Sequence, residues 1–497
     1  MNNRIRRFLG IASFLFLSIV AAAQPSAVKK AGKSVVKVTT FGSDGTVVST
    51  GYGVFEDTNG TVLCAWNPLI GARSAVVLDA QGKKYDVDCI LGASSYYNVA
   101  RVKVLLEGKN TIVPVTIESG QQPEGAEAWY VGYGGKTPVY RKYAVTKTET
   151  FMNDLPYYIV EQNENPVGDD MQGSPCFNTQ GQLMGLLNTS STRTDLYFAS
   201  ARYGVTLVPG ALSANDNALR TTSIRIALPD DYSQAMLALM VAAQREDSLN
   251  YSRMIDEFIM KFPDHEDGYI SKAEWLTDNR DFAGADAIMQ TALEKAEQKA
   301  GVYYAYSRLI YNKETLMSDV PYEGWSLDKA ISEIDKAYDA SPQMIYRIHK
   351  GKIFYAQHKY DEALAEFQAA NKENNKDAEV YYYCYQCLKN KNADRGEQLA
   401  QLDSAIVYAP RAVMYHAERT LLLIKMKKVE EAVASATQLV TIAPAYAEGH
   451  GFLGLALCLA GNKERGLVEL KRAKAMGYEK ADSFIAAYGQ EGAVEKK

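Results

Sequence analysis

One helix face recurs through the second half of this chain. Ala285, Met289 and Ala292 stand at offsets of 0, 4 and 7; so do Ala330, Ile334 and Ala337, and so do Ala363, Phe367 and Ala370. Those offsets return to one side of an α-helix, and small residues at the crossing points let a second helix come close. Pro342, Pro410 and Pro444 follow such faces; 444 minus 410 is 34, and 410 minus 342 is 68, twice 34. A period of this length describes a unit that cannot bury its apolar face alone, so neighbouring units must stack.

Paired helices ending in proline at a 34-residue period resemble the tetratricopeptide repeat. Gly351 and Gly454 fall at the small residue of that repeat's first helix, where its two helices pack closely. About seven units are expected from 232 to 480, within an all-α solenoid domain spanning 232–497. An insertion near Met317 to Trp325 interrupts the third unit, and the first and last are degenerate, as capping repeats are. The resemblance implies a concave surface that receives an extended peptide or a partner helix; a spacer or dimerisation element is the blander reading.

The first half follows another period. Short β-rich runs separated by glycine cover Ser34 to Thr40, Thr46 to Phe55, Val62 to Ala65, Ala75 to Asp79, Val99 to Leu105, Ala128 to Val131, Tyr157 to Gln162 and Gln182 to Leu187. Runs of this length with turns between them predict an all-β barrel or sandwich over 24–209. Residues 210–231, between Pro209 and the first helical run, carry Gly, Ser, Asn and Asp and read as a linker.

The inventory of side chains excludes much chemistry. All five histidines, His265, His349, His358, His416 and His450, lie in the second half, so a mechanism or metal site in the β half cannot use an imidazole. No metal or cofactor site is expected. Net charge is −5, from 54 basic and 59 acidic residues, with no basic block to meet a nucleic acid. The 33 tyrosines against 15 phenylalanines suit surfaces that are half buried and half wet.

Arg4, Arg6 and Arg7 precede an apolar run from Phe8 to Ala21, and Ala21-Ala22-Ala23 fits a small-x-small cleavage site. Residues 1–23 are therefore expected to be a signal peptide cut after Ala23, leaving a periplasmic or secreted chain with no membrane span. In an oxidising compartment Cys64 could pair with Cys89, and Cys384 with Cys387, but spacing alone does not decide it.

Three ordered segments of the β half resemble the trypsin-like proteases of the high-temperature-requirement type, whose fold is a double β-barrel. They are Gly51-Tyr-Gly-Val-Phe55 with Gly60 to Ala72, then Tyr97 to Val104, then Gly168 to Asn178 with Gly181 to Gly185. Laid on the family pattern, the catalytic histidine position falls on Asn67, the aspartate on Asn98 and the nucleophilic serine on Gln172. An amide is no nucleophile at neutral pH, Asn67 has no proton to exchange as general base, and Asn98 lacks the charge that steadies an imidazolium. Asp169 and Asp170 would oppose a developing oxyanion in the adjoining turn. Ser174 reads as a turn residue and Cys176 as a buried strand residue; neither has a histidine in its domain to activate it.

These readings converge on an exported pseudoprotease that binds a protein or peptide partner, as scaffold or adaptor, through its repeats. One rival places a peptide groove at Gln172, Gly173, Ser174, Tyr197 and Phe198. Another makes the β half only a platform for the repeats, and a third is an active trypsin-like serine peptidase of the cell envelope with an atypical active site.

Overall fold

The computed structural model describes residues 24–133, 137–151, 155–160, 171, 173–189, 196–213, 216–373 and 376–489. The expected signal peptide lies outside the described residues. Contacts divide the chain into two units, Met1–Lys261 and Phe262–Lys497.

The first unit carries two β-sheets. Strands β1 (Val35–Phe41), β2 (Val47–Phe55), β3 (Thr61–Cys64), β4 (Ser74–Leu78), β5 (Lys84–Ser94) and β6 (Val99–Val104) close into a barrel in the order β1-β2-β3-β6-β5-β4. Strands β7 (Thr116–Ile117), β8 (Glu127–Tyr133), β9 (Pro138–Phe151), β10 (Leu155–Val160), β11 (Pro175–Phe177), β12 (Gln182–Leu186), β13 (Asn188–Thr189) and β14 (Leu196–Ala199) form a second sheet, ordered β13-β14-β10-β9-β8-β11-β12-β7. Two barrel-type sheets in sequence are the double-barrel fold expected from the motifs. All eight predicted runs are strands within a residue or two, so far as they are described.

Strand alternation builds the cores. On β1, Val36 and Val38 point into the closed barrel with Trp66, Val77, Ile90 and Val102, whereas Val35 faces the other way, toward Leu63, Trp129, Val131 and Phe177 between the sheets. Tyr130, Tyr158, Cys176 and Phe198 fill the second sheet's own core. Short helices α1 (Ser26–Ala31) and α2 (Ala201–Gly204) flank these layers.

The segment read as a linker is built into the barrel instead. Leu219, Ile224 and Ile226 join the first core. The strap is laced along its backbone: Gly71 N–H donates to Thr221 O at 2.7 Å, Ile90 N–H to Arg225 O at 2.8 Å and Ala227 N–H to Ile90 O at 2.9 Å. Arg225, 5% exposed, donates from Nη2 to Asp88 at 2.6 Å and from Nη1 to Glu257 on α4 (Ser248–Lys261), the partner of α3 (Tyr232–Arg245). Three apolar side chains spaced among Asn, Asp, Ser and Arg give too little periodicity to betray a buried strap.

The second unit is helical: α5 (Glu266–Asp278), α6 (Phe282–Lys295), α7 (Lys299–Leu316), α8 (Leu327–Ala340), α9 (Met344–Ala356), α10 (Tyr360–Lys372), α11 (Ala378–Asn390), α12 (Arg395–Tyr408), α13 (Val413–Lys425), α14 (Val429–Ile442), α15 (Ala447–Leu459), α16 (Lys463–Ala475) and α17 (Ala481–Gly489). Each odd-numbered helix from α5 to α15 packs on the even one after it. First helices begin at 266, 299, 344, 378, 413 and 447; the one long interval, from 299 to 344, holds the expected insertion. There Trp325 folds inward, its Nε1–H donating to Asp286 at 2.7 Å and its ring against Phe282 and Tyr322. The recurring faces are buried: Ala285, Met289, Ala292, Ala330, Ala337, Ala363, Phe367 and Ala370 are all fully covered. A Cβ on Gly351 would lie 2.7 Å from the Phe367 ring, and one on Gly454 2.8 Å from the Gly466 carbonyl, so both glycines mark close helix crossings.

All six cysteines are buried free thiols, the pairs Cys64/Cys89 and Cys384/Cys387 included. Among the described residues no helix is long and apolar enough to cross a membrane.

Candidate functional site

The landmark segments of the β half meet in one place. A short helical turn, Asn67–Leu69, follows β3, and Asn98 leads into β6 with φ of 48°. From that left-handed backbone the Asn98 Oδ1 accepts the Asn67 N–H at 2.7 Å, and the Asn98 carbonyl accepts the Trp66 N–H at 3.3 Å. Asn98 Nδ2 donates in turn to Asn188 Oδ1 at 3.3 Å. The buried Asn98 amide thus ties the turn carrying Asn67 to β13, while the Asn67 side chain is exposed. Asn188 was missed by sequence reasoning, because a partner delivered by sheet pairing leaves no local signature.

The third segment reaches the same place. Gly173 has φ of 79°, and a Cβ there would stand 2.6 Å from the Ala65 Cβ, two residues before Asn67. Its N–H donates to Leu187 O at 3.0 Å, and the Ser174 N–H to Met171 O at 3.0 Å, closing a tight turn. Gln172, with Gly168, Asp169 and Asp170, lies outside the described residues.

Of the residues assigned to a peptide groove, Gly173 and Tyr197 lie beside this cluster, whereas Ser174 and Phe198 are buried. Tyr197 is half-buried and sits opposite Asn188 in the β13–β14 pairing. Phe198 points the other way: it is fully buried, its ring 5.0 Å from Tyr158, so it is core and cannot line a groove. The one-residue alternation of β14 sends its two aromatic rings to opposite faces. Ser174 is fully buried as well.

The thiols are poorly suited to nucleophilic work. Burial pushes Cys64, Cys89, Cys384 and Cys387 up to about 12, and burial raises Cys176 well above an ordinary thiol. Thiolate, the reactive form, is scarce at neutral pH in such places. No histidine occurs in Met1–Lys261, and His265 sits at the start of α5 with its ring edge-on to Phe262. Among the described residues no three His, Cys, Asp or Glu side chains are grouped to hold a metal.

A second concentration of polar and aromatic groups runs along the first helices of the repeats. Tyr304 and Tyr311 on α7 meet Tyr346 and His349 on α9, with centroids 5.0 and 5.4 Å apart. Tyr355 on α9 meets Tyr383 on α11 at 5.6 Å, and Tyr382 on α11 meets Tyr415 on α13 at 4.8 Å. His349 is 6% exposed, and its Nε2 has no hydrogen-bond partner. Burial, with Arg308 and Lys352 nearby, lowers its pKa to about 4, so the ring is neutral.

No protein-family profile matches the chain, and no curated protein matches it. Among solved structures it is similar to a serine endoprotease from Yersinia pestis, at 16% identity and a TM-score of 0.30, over 36% of this chain and 63% of that one. The chain therefore spans less than two thirds of that enzyme's length, and a likeness of this size carries no argument about chemistry.

Proposed function

We propose that this chain is an exported, catalytically silent relative of the trypsin-like proteases of the high-temperature-requirement type, joined to tetratricopeptide-like repeats, and that it works by holding a protein or peptide partner. The observation that carries the reading is the Asn67–Asn98 contact: the positions that the resemblance gives to histidine and aspartate are occupied by two amides in a unit without any imidazole. Amides can hold a turn together, but they supply neither a general base nor a counter-charge for one. Binding then falls to the repeats, whose stacked helix pairs expose a long run of side chains from successive first helices. In this reading residues 1–23 direct export and are removed.

The test is to incubate the chain from Gln24 to Lys497 with unfolded casein, beside a sample treated with a fluorophosphonate probe. Intact casein and no labelling are expected. Cleavage that survives repurification would overturn the silent reading, and labelling would locate an active serine.

A further inference from the structure

The tyrosine run described above has hydroxyls set to donate. Tyr355 Oη accepts from Asn390 Nδ2 at 3.2 Å, and Tyr382 Oη accepts from Gln386 Nε2 at 2.5 Å. Each amide occupies an oxygen lone pair and leaves the phenolic proton for another acceptor. Three cations on the same helices are committed: Arg308 to Glu274 at 3.0 Å, Lys352 to Glu379 at 3.0 Å and Lys389 to Glu418 at 2.9 Å. The half-buried rings of Tyr355, Tyr382 and Tyr383 are therefore flanked by cations that already hold a carboxylate.

Resting on the reading of the repeats as the binding half, we propose that the first-helix face of α7, α9, α11 and α13 binds a neutral, proline-rich segment in polyproline II conformation. Such a segment presents carbonyls and few N–H groups, so it needs donors from its partner. Its rings pack on aromatic faces, as proline-rich ligands do in other aromatic-lined grooves. The matching charge state is zero, since a carboxylate or ammonium set beside these rings would compete with the Lys352–Glu379 and Lys389–Glu418 pairs.

Fluorescence polarisation on the chain from Gln24 to Lys497 tests this with three labelled peptides of equal length: an amidated polyproline, a Gly-Ser peptide, and an acidic peptide with a free carboxylate. Calorimetry with a chitin tetrasaccharide runs beside them. Polyproline is expected to bind at least about tenfold more tightly than the other peptides. The double variant Tyr355→Phe/Tyr382→Phe keeps both rings in their packing and should weaken it about tenfold, while Tyr157→Phe in the β unit leaves it unchanged. Failure of polyproline to bind, equal binding of Gly-Ser, preference for the acidic peptide or the saccharide, or indifference to the double variant would each overturn the proposal. Unfolded casein in the same assay separates the two readings: casein held intact without polyproline binding sinks the proline assignment alone, whereas casein cleavage sinks the silent-protease reading.

Discussion

Asn98 does two things that few other side chains manage together. It tolerates φ of 48°, where a β-branched residue would be strained, and its amide both accepts from the Asn67 turn and donates to Asn188. Asn98→Gly keeps the backbone and loses the amide, so it should cost about 1–2 kcal/mol in urea unfolding; Asn98→Val loses both and should cost more. Asn98→Asp should not create peptidase activity, because its unit contains no imidazole to use the carboxylate. His349 gives a second prediction. Its folded pKa, lowered to about 4 mainly by burial, lies below the ordinary value of 6.5, so as pH falls the unfolded chain takes up the proton first. Stability from this residue is complete above pH 6.5 and is lost progressively toward pH 4, by about 3 kcal/mol. Urea midpoints at pH 7 and pH 4.5 should therefore fall further apart in the native chain than in His349→Leu; equal differences would remove His349 as the cause. Asn67 and Asn98 were legible as a pair because their flanking residues follow a known motif order. Asn188 and Arg225 were not, since their partners Asn98, Asp88 and Glu257 are remote in sequence.

Elements whose periodicity matched their burial were read, whereas two long strands rich in charge were not. β5 alternates Lys84, Asp86 and Asp88 with the buried Tyr85 and Val87, and its charges masked the strand. β9 opens on Pro138 and carries Arg141, Lys142, Lys147 and Glu149, so it reads as polar although its pairing with β8 and β10 is long. Among the helices, the offsets of 0, 4 and 7 continue beyond the three faces first read, at Ala432, Ala436 and Leu439, where the bulky residue has moved to the last place. The two crossing glycines should differ in cost. At Gly351 the obstacle to a Cβ is the edge of the Phe367 ring, which can tilt, whereas at Gly454 it is the Gly466 carbonyl of the facing helix. Gly454→Ala should therefore destabilise by about 2–3 kcal/mol and Gly351→Ala by about 1 kcal/mol, read from thermal or urea unfolding. Equal costs would mean that both crossings relax alike.

At the level of the whole molecule, the first helix pair is part of the β unit. Arg225 joins barrel strand, strap and α4 through Asp88 and Glu257, and Lys261 Nζ donates to Leu228 O at 2.8 Å. Arg225→Met leaves Asp88 without its cation and the mostly covered Glu257 with only Lys261 at 3.6 Å, and should cost about 3 kcal/mol. A chain ending at residue 231 should melt well below one ending at Lys261, because it lacks Glu257 and the α4 face that covers the strap; equal melting temperatures would show that the helix pair contributes nothing to the barrel. The free thiols carry a further consequence. With Cys64, Cys89, Cys176, Cys384, Cys387 and Cys458 each enclosed by packing and none cross-linked, the fold owes nothing to an oxidant. Its melting temperature should be the same with and without a reductant, and the chain should reach its native state where no thiol oxidase or disulfide isomerase operates. A protein of this kind can be produced in a reducing cytoplasm, and its maturation makes no demand on a cell's disulfide-forming machinery.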